Sequence, residues 1–148
     1  MARVGEGKKV YQLEYVAEEQ LLVALSGKQR HVRLIPIRAL DGDEVEWTKV
    51  AETKGCLTLA TGVIRRGPPN TYGVCVAIKR QNASQVIVYE ITRTKARHKR
   101  LREVMLPVTA QSINVLSDGS FCVGYQSGFS VYSSTGDHHA ICELRFSC

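Results

Sequence analysis

A chain of 148 residues with a formal charge of +6 has the length of one ordinary domain and a modest basic excess, which admits an acidic partner or an anionic membrane surface without demanding either. A composition 44% apolar and 23% charged excludes an intrinsically disordered segment. Apolar runs of about five residues are far short of the roughly 20 that a membrane-spanning helix requires.

Residues 9–16 (KVYQLEYV) alternate, with Tyr11, Leu13 and Tyr15 on one face and Gln12 and Glu14 on the other. That period of two predicts a strand with one buried side. Residues 21–25 form a continuous apolar run, as in a strand covered on both faces. Ser26-Gly27-Lys28 turns the chain, and residues 29–37 resume with Val32 and Leu34 alternating against His31 and Arg33. Arg30, His31 and Arg33 read as the polar face of that strand. Pro36 lacks a ladder donor and marks its end. After the turn signal Asp41-Gly42, residues 44–50 place Val45 and Trp47 opposite Glu44, Glu46 and Thr48.

The same order then recurs. Residues 56–64 alternate, with Leu57, Leu59, Thr61 and Val63 on one face, and a loop rich in Gly and Pro covers 65–71. Strands follow at 74–79 and 86–91, joined by a polar loop carrying Asn82 and Ser84. A basic run over 93–102 leads into a strand at 101–106, ended by Pro107. A third round has strands at 111–116, 121–125 and 129–132, with a turn at Asp118-Gly119. No window of helical period is long enough to predict a helix.

Val23-Ala24-Leu25, Val76-Ala77-Ile78 and Val123-Gly124-Tyr125 superpose, at a period of about fifty residues. Groups of four, four and three short strands at that period predict an all-β partial β-propeller: about two complete four-stranded blades plus an incomplete third. Such an open stack leaves apolar side chains uncovered on its terminal faces, each forfeiting roughly 1.5–3 kcal/mol of burial. A piece of a larger propeller is therefore expected. Residues 1–7 are read as a flexible start, 8–136 as the partial propeller, and 137–148 as a divergent tail.

KKVYQLEY (8–15), SGKQRHVRL (26–34), ALDG (39–42), ETKGC (52–56), VAIKR (76–80), YEITRTKARHK (89–99) and VGYQSGF (123–129) together resemble the N-terminal half of a citron homology (CNH) domain of the myotonic-dystrophy-related (MRCK) kinase type. The likeness runs from about Gly7 to Gly136, and 137–148 (DHHAICELRFSC) departs from it. The resemblance implies a β-propeller near the C-terminus of a large serine/threonine kinase, serving as a protein-interaction and regulatory module. It also implies a link to Rho-family GTPases and actin–myosin organisation.

No Gly-rich phosphate loop, His-Arg-Asp or Asp-Phe-Gly occurs, so phosphoryl transfer by this chain is not expected. No catalytic residue and no cofactor is predicted. His138, His139, Cys142 and Cys148 match no zinc spacing, which leaves them as incidental residues of a frayed tail. The five cysteines are irregularly spaced and three of them fall in predicted strands, which suits packed, reduced thiols. Nothing at the N-terminus resembles a signal peptide, so the sequon Asn82-Ala83-Ser84 is not expected to be used and a cytoplasmic, cortex- or cytoskeleton-associated location is.

The basic run is the candidate interaction surface: Arg93, Lys95, Arg97, His98, Lys99, Arg100 and Arg102, placed at a loop or strand edge on the periphery. Trp47 joins it as a candidate anchor, although packing between blades is the commoner use of such a residue. The expected partners are proteins: a small GTPase, a cytoskeletal protein or segments of the parent kinase. The alternative is a peripheral module that attracts anionic lipid at about 1 kcal/mol per charge. Two plainer readings stand beside these: a solvated edge whose charge prevents aggregation, and a truncated fragment without independent function. Nucleic acid is not expected, because the run has no interleaved aromatics to stack on bases.

Overall fold

A computed structural model describes residues 9–37, 47–92 and 97–133, together with the backbone of 138–143. The first sheet contains β1 (Val10–Val16), β2 (Leu21–Ser26), β3 (His31–Pro36) and β4 (Thr48–Lys49), hydrogen-bonded in chain order. The second contains β5 (Cys56–Arg65), β6 (Thr71–Arg80), β7 (Ala83–Thr92) and β8 (Arg97–Leu106), again in order. The third contains β9 (Ser112–Val115), β10 (Phe121–Gly124), β11 (Gly128–Tyr132) and β12 (His138–Glu143). All pairings are antiparallel. The expected repeat is present: Leu21, Val74 and Phe121 all lie on the second strand of their sheets.

The second sheet lies between the other two, and its pleat supplies both interfaces. Val74, Val76, Ile78, Ile87, Tyr89 and Ile91 pack with Leu21, Val23, Leu25, Val32 and Leu34 of the first sheet. The intervening Cys75, Ala77, Val86 and Val88 pack with Ile113, Phe121, Val123 and Tyr132 of the third. Continuous apolar runs on β6 and β7 are thus the consequence of burial on both faces. Inner strands β1, β5 and β9 make the closest sheet-to-sheet approach. At Gly62 a Cβ would stand 2.9 Å from Cγ1 of Val115, so a side chain there would push the third sheet away.

The first junction is also tied by polar groups. Arg30, at φ 54° in the β2–β3 turn, donates from Nε and Nη2 to the carbonyls of Cys56 and Leu57, at 2.8 and 2.9 Å. The Cys56 N–H donates back to the Arg30 carbonyl at 3.0 Å.

Several expectations change here. Leu13 and Tyr15 are exposed, each at 54%, whereas Gln12 is half-buried against β5. A bulge between Val10 and Gln12 breaks the alternation, so Tyr11 leaves the Leu13 and Tyr15 face and stacks on the Arg30 guanidinium, 4.2 Å from its ring centre. Leu13 and Tyr15 instead share the outer face of the first sheet, opposite Ala24 and Leu22.

Arg33 is buried rather than solvated, and donates from Nη1 to the Ser26 carbonyl and Oγ at 2.6 and 2.9 Å. Of the strand expected over 44–50, residues 47–50 are described and only Thr48–Lys49 among them is strand; residues 41–46, with the Asp41-Gly42 turn, lie outside the described residues, as do 1–7. The third sheet has a fourth strand, because the backbone of His138–Glu143, expected to fray, pairs with β11.

Candidate functional site

Strand β8 begins at Arg97, so much of the basic run is itself a strand rather than a loop leading to one. Among the described residues it is the outer edge of the second sheet, paired only with β7. Arg93 and Lys95 lie outside the described residues.

A bulge at Leu101 decides which way each cation points. Tyr89 pairs with Arg100 and Val88 with Arg102, so two residues that strict alternation would put on one face are turned to opposite faces. His98 and Arg100 share the Tyr89 side, which faces the first sheet. Arg97, Lys99 and Arg102 share the side of Thr92, Glu90 and Val88, which faces the third.

On the first side the positive charge is already engaged. Arg100 forks between the carboxylates of Glu52 and Glu103. His98 Nε2 accepts the Ala51 N–H at 3.2 Å, and the Tyr89 hydroxyl donates to the Ala51 carbonyl at 2.5 Å. Arg80 donates to the Glu52 carbonyl. The segment after β4 is therefore held by β6, β7 and β8 together. Burial lowers the His98 pKa from its ordinary value, favouring the neutral form that this acceptor role requires. The Tyr89 hydroxyl is pushed up, chiefly by burial.

On the other side no ion pair forms among the described residues. Arg97 and Lys99 are exposed and have no ion-pair partner among the described residues. Arg102 Nε is buried with no hydrogen-bond partner among the described residues. Beside it opens a cleft of about 280 Å³, floored by Ile64, Val88 and Leu101 and walled by Arg65, Glu90 and Arg102. Arg65 is steadied by a 3.2 Å hydrogen bond from Nη2 to Thr71 Oγ1.

Trp47 stands apart from this cluster in the chain, half-buried just ahead of β4, with its indole nitrogen buried and unpartnered among the described residues. Sequence reasoning did not single out Glu52, Arg65, Tyr89 or Glu90. Only the bulge and the sheet register bring them to the basic strand, and no composition signal marks a bulge.

The model of the CNH domain matches residues 1–144. The chain belongs to the CNH domain family. It is 48% identical over 142 residues to the serine/threonine-protein kinase Genghis Khan of Drosophila melanogaster, covering 95% of this chain and 9% of that protein. It is 42% identical over 135 residues to the serine/threonine-protein kinase MRCK alpha of Homo sapiens, covering 91% of this chain and 7% of that protein. The chain thus spans less than a tenth of the length of these curated relatives. Among solved structures, the AfRom2 CNH domain superposes with a TM-score of 0.64 at 26% identity, over 84% of this chain and 38% of that one. The CNH match includes His138–Glu143, the segment that supplies β12. This chain thus corresponds to part of that solved CNH domain, of which it covers 38%.

Proposed function

We propose that this CNH segment is a non-catalytic interaction and regulatory module of an MRCK-type kinase, contributing contacts that position the kinase in the cytoplasm and at the cell cortex. The partner is a Rho-family GTPase, a cytoskeletal protein or another segment of the kinase, as its family resemblance implies. The observation that carries the reading is one side of β8, where Arg97 and Lys99 are exposed on a sheet edge without ion-pair partners among the described residues. An exposed rim charge of this kind steers association and sets partner choice.

The test is affinity capture on the immobilised chain, using purified GTP-loaded Rho-family GTPases, actin-cytoskeleton proteins and kinase segments in turn. One class should be retained, and Arg97→Glu with Lys99→Glu should release it. Capture of none refutes the reading.

Peripheral membrane binding is the second reading, favoured by the same two exposed cations. It is weakened by Arg100, which is committed to Glu52 and Glu103. Sedimentation with phosphatidylserine vesicles decides it: binding must weaken with salt and must fail in the Arg97→Glu, Lys99→Glu variant.

A further inference from the structure

The geometry points to the cleft beside β8 as a pocket for an acidic side chain of a partner polypeptide, with the Arg102 guanidinium taking the carboxylate. This deepens the interaction-module reading and rests on it. Arg102 lines the cleft and brings a cation whose Nε is buried and unpartnered among the described residues. A guanidinium presents its donors in a planar fork that a carboxylate matches with two parallel bonds. Arg65, which also lines the cleft, adds a second cation, held in place through Thr71. Beneath them Ile64, Val88 and Leu101 form an apolar floor. An acidic residue followed by an aliphatic one meets both the charge and the floor.

Two other classes of ligand fit less well. Glu90 lines the same cleft, so a phosphate dianion would meet a carboxylate as well as the guanidinia, and a singly charged carboxylate is opposed less. A lipid surface approaches as a plane and reaches Arg97 and Lys99 more readily than Arg102, which is partly buried behind the bulge. Those two cations, on the same side of β8 as Arg102, instead line the approach and favour further negative charge in the arriving segment.

The test is a methyl NMR titration of the 148-residue chain with acetyl-Gly-Glu-Leu-Gly-amide. The Ile64, Val88 and Leu101 methyls should shift saturably, while Leu25 and Leu34 at the first junction stay fixed. Replacing Glu by Gln in the peptide, or Arg102 by Gln in the protein, should weaken binding about 10- to 100-fold, the range for losing a charged hydrogen-bonded pair. Glu90→Gln should tighten it, and keeps the proposal testable if Arg102→Gln does not fold.

Equal shifts with the Glu and Gln peptides, or an unchanged affinity in Glu90→Gln, overturn the proposal. So does tighter saturation of the same methyls by inorganic phosphate. A partner retained by affinity capture from an Arg102→Gln chain as well as from the parent leaves the module standing and removes the cleft from it.

Discussion

The first strand offers the sharpest test of how these sheets are joined. Gln12 reaches across to β5, donating from Nε2 to the Leu59 carbonyl at 2.6 Å, while its Oε1 accepts the Leu59 N–H at 3.3 Å and the Thr58 hydroxyl at 3.0 Å. The side-chain amide thus does for the free edge of β5 what a neighbouring backbone would do in a ladder. Gln12→Met keeps length and volume but removes all three bonds to β5, along with the bond from Nε2 to Glu14 Oε1. At about 0.5–1.5 kcal/mol net for each, tempered by partial re-solvation at a half-buried site, the loss should be about 1.5–3 kcal/mol. Gln12→Glu keeps the acceptors but loses the donor to Leu59, and sets a carboxylate beside Glu14, which Gln12 now contacts at 3.1 Å. It should fall between the parent and Gln12→Met at pH 7. Leu13→Ser, at a side chain 54% exposed, should stay within about 0.5 kcal/mol. Urea unfolding with a common m-value measures the series. A Leu13→Ser loss larger than that of Gln12→Met refutes the orientation of β1, since that order belongs to a strand with Leu13 and Tyr15 inward.

Three further outcomes follow from burial. Ile87→Ala, at a site with 0% exposure between the first and second sheets, should lower unfolding free energy by about 2–5 kcal/mol, whereas Met105→Ala, 56% exposed, should change it by under about 0.5 kcal/mol. Burial pushes the Cys56 and Cys75 thiols up to about 12, so at pH 8 iodoacetamide with peptide mapping should label half-buried Cys122 well before either, and Cys75 only at the rate of unfolding. His98, facing Tyr89, Arg100 and Glu52, has its folded pKa lowered from 6.5, chiefly by burial. The unfolded chain therefore binds the extra proton first: stability is full above about pH 6.5 and is lost as pH falls through the window below it. The difference in unfolding free energy between parent and His98→Gln should shrink across that window, by at most about 1.36 kcal/mol per pH unit, and a difference that does not vary with pH removes His98 from the junction.

Much of the fold was legible because period two and the fifty-residue repeat are direct consequences of stacked antiparallel sheets. The apolar triplets at 23–25, 76–78 and 123–125 located the second strand of each sheet. What alternation could not show is which side of a strand faces a neighbour. For β1 the Tyr and Leu stripe looked inward by hydropathy, yet the polar stripe faces β5, because the inner edge of a blade is completed by hydrogen bonds rather than by oil. Arg33 misled in the same way: a cation on an alternating strand reads as solvent-facing unless a partner such as the Ser26 carbonyl is known to wait for it. At the candidate site the cationic residue types were visible but their directions were not. A single extra residue at Leu101 turns Arg102 away from Arg100, and bulges have no residue signature strong enough to read from one chain.

That division changes what a mutation in the basic run means. Reversing Arg100 leaves Glu52 and Glu103 without their shared cation and presses on the segment that Tyr89 and His98 hold, so lost binding in such a variant reports a loosened blade junction as readily as a lost contact. Reversing Arg97 or Lys99 breaks no ion pair among the described residues, so lost binding there reports the surface itself. A variant reversing the whole run would merge the two effects. The same strand supports the joint between sheets with one face and offers exposed charge with the other, so only substitutions made one face at a time separate architecture from recognition.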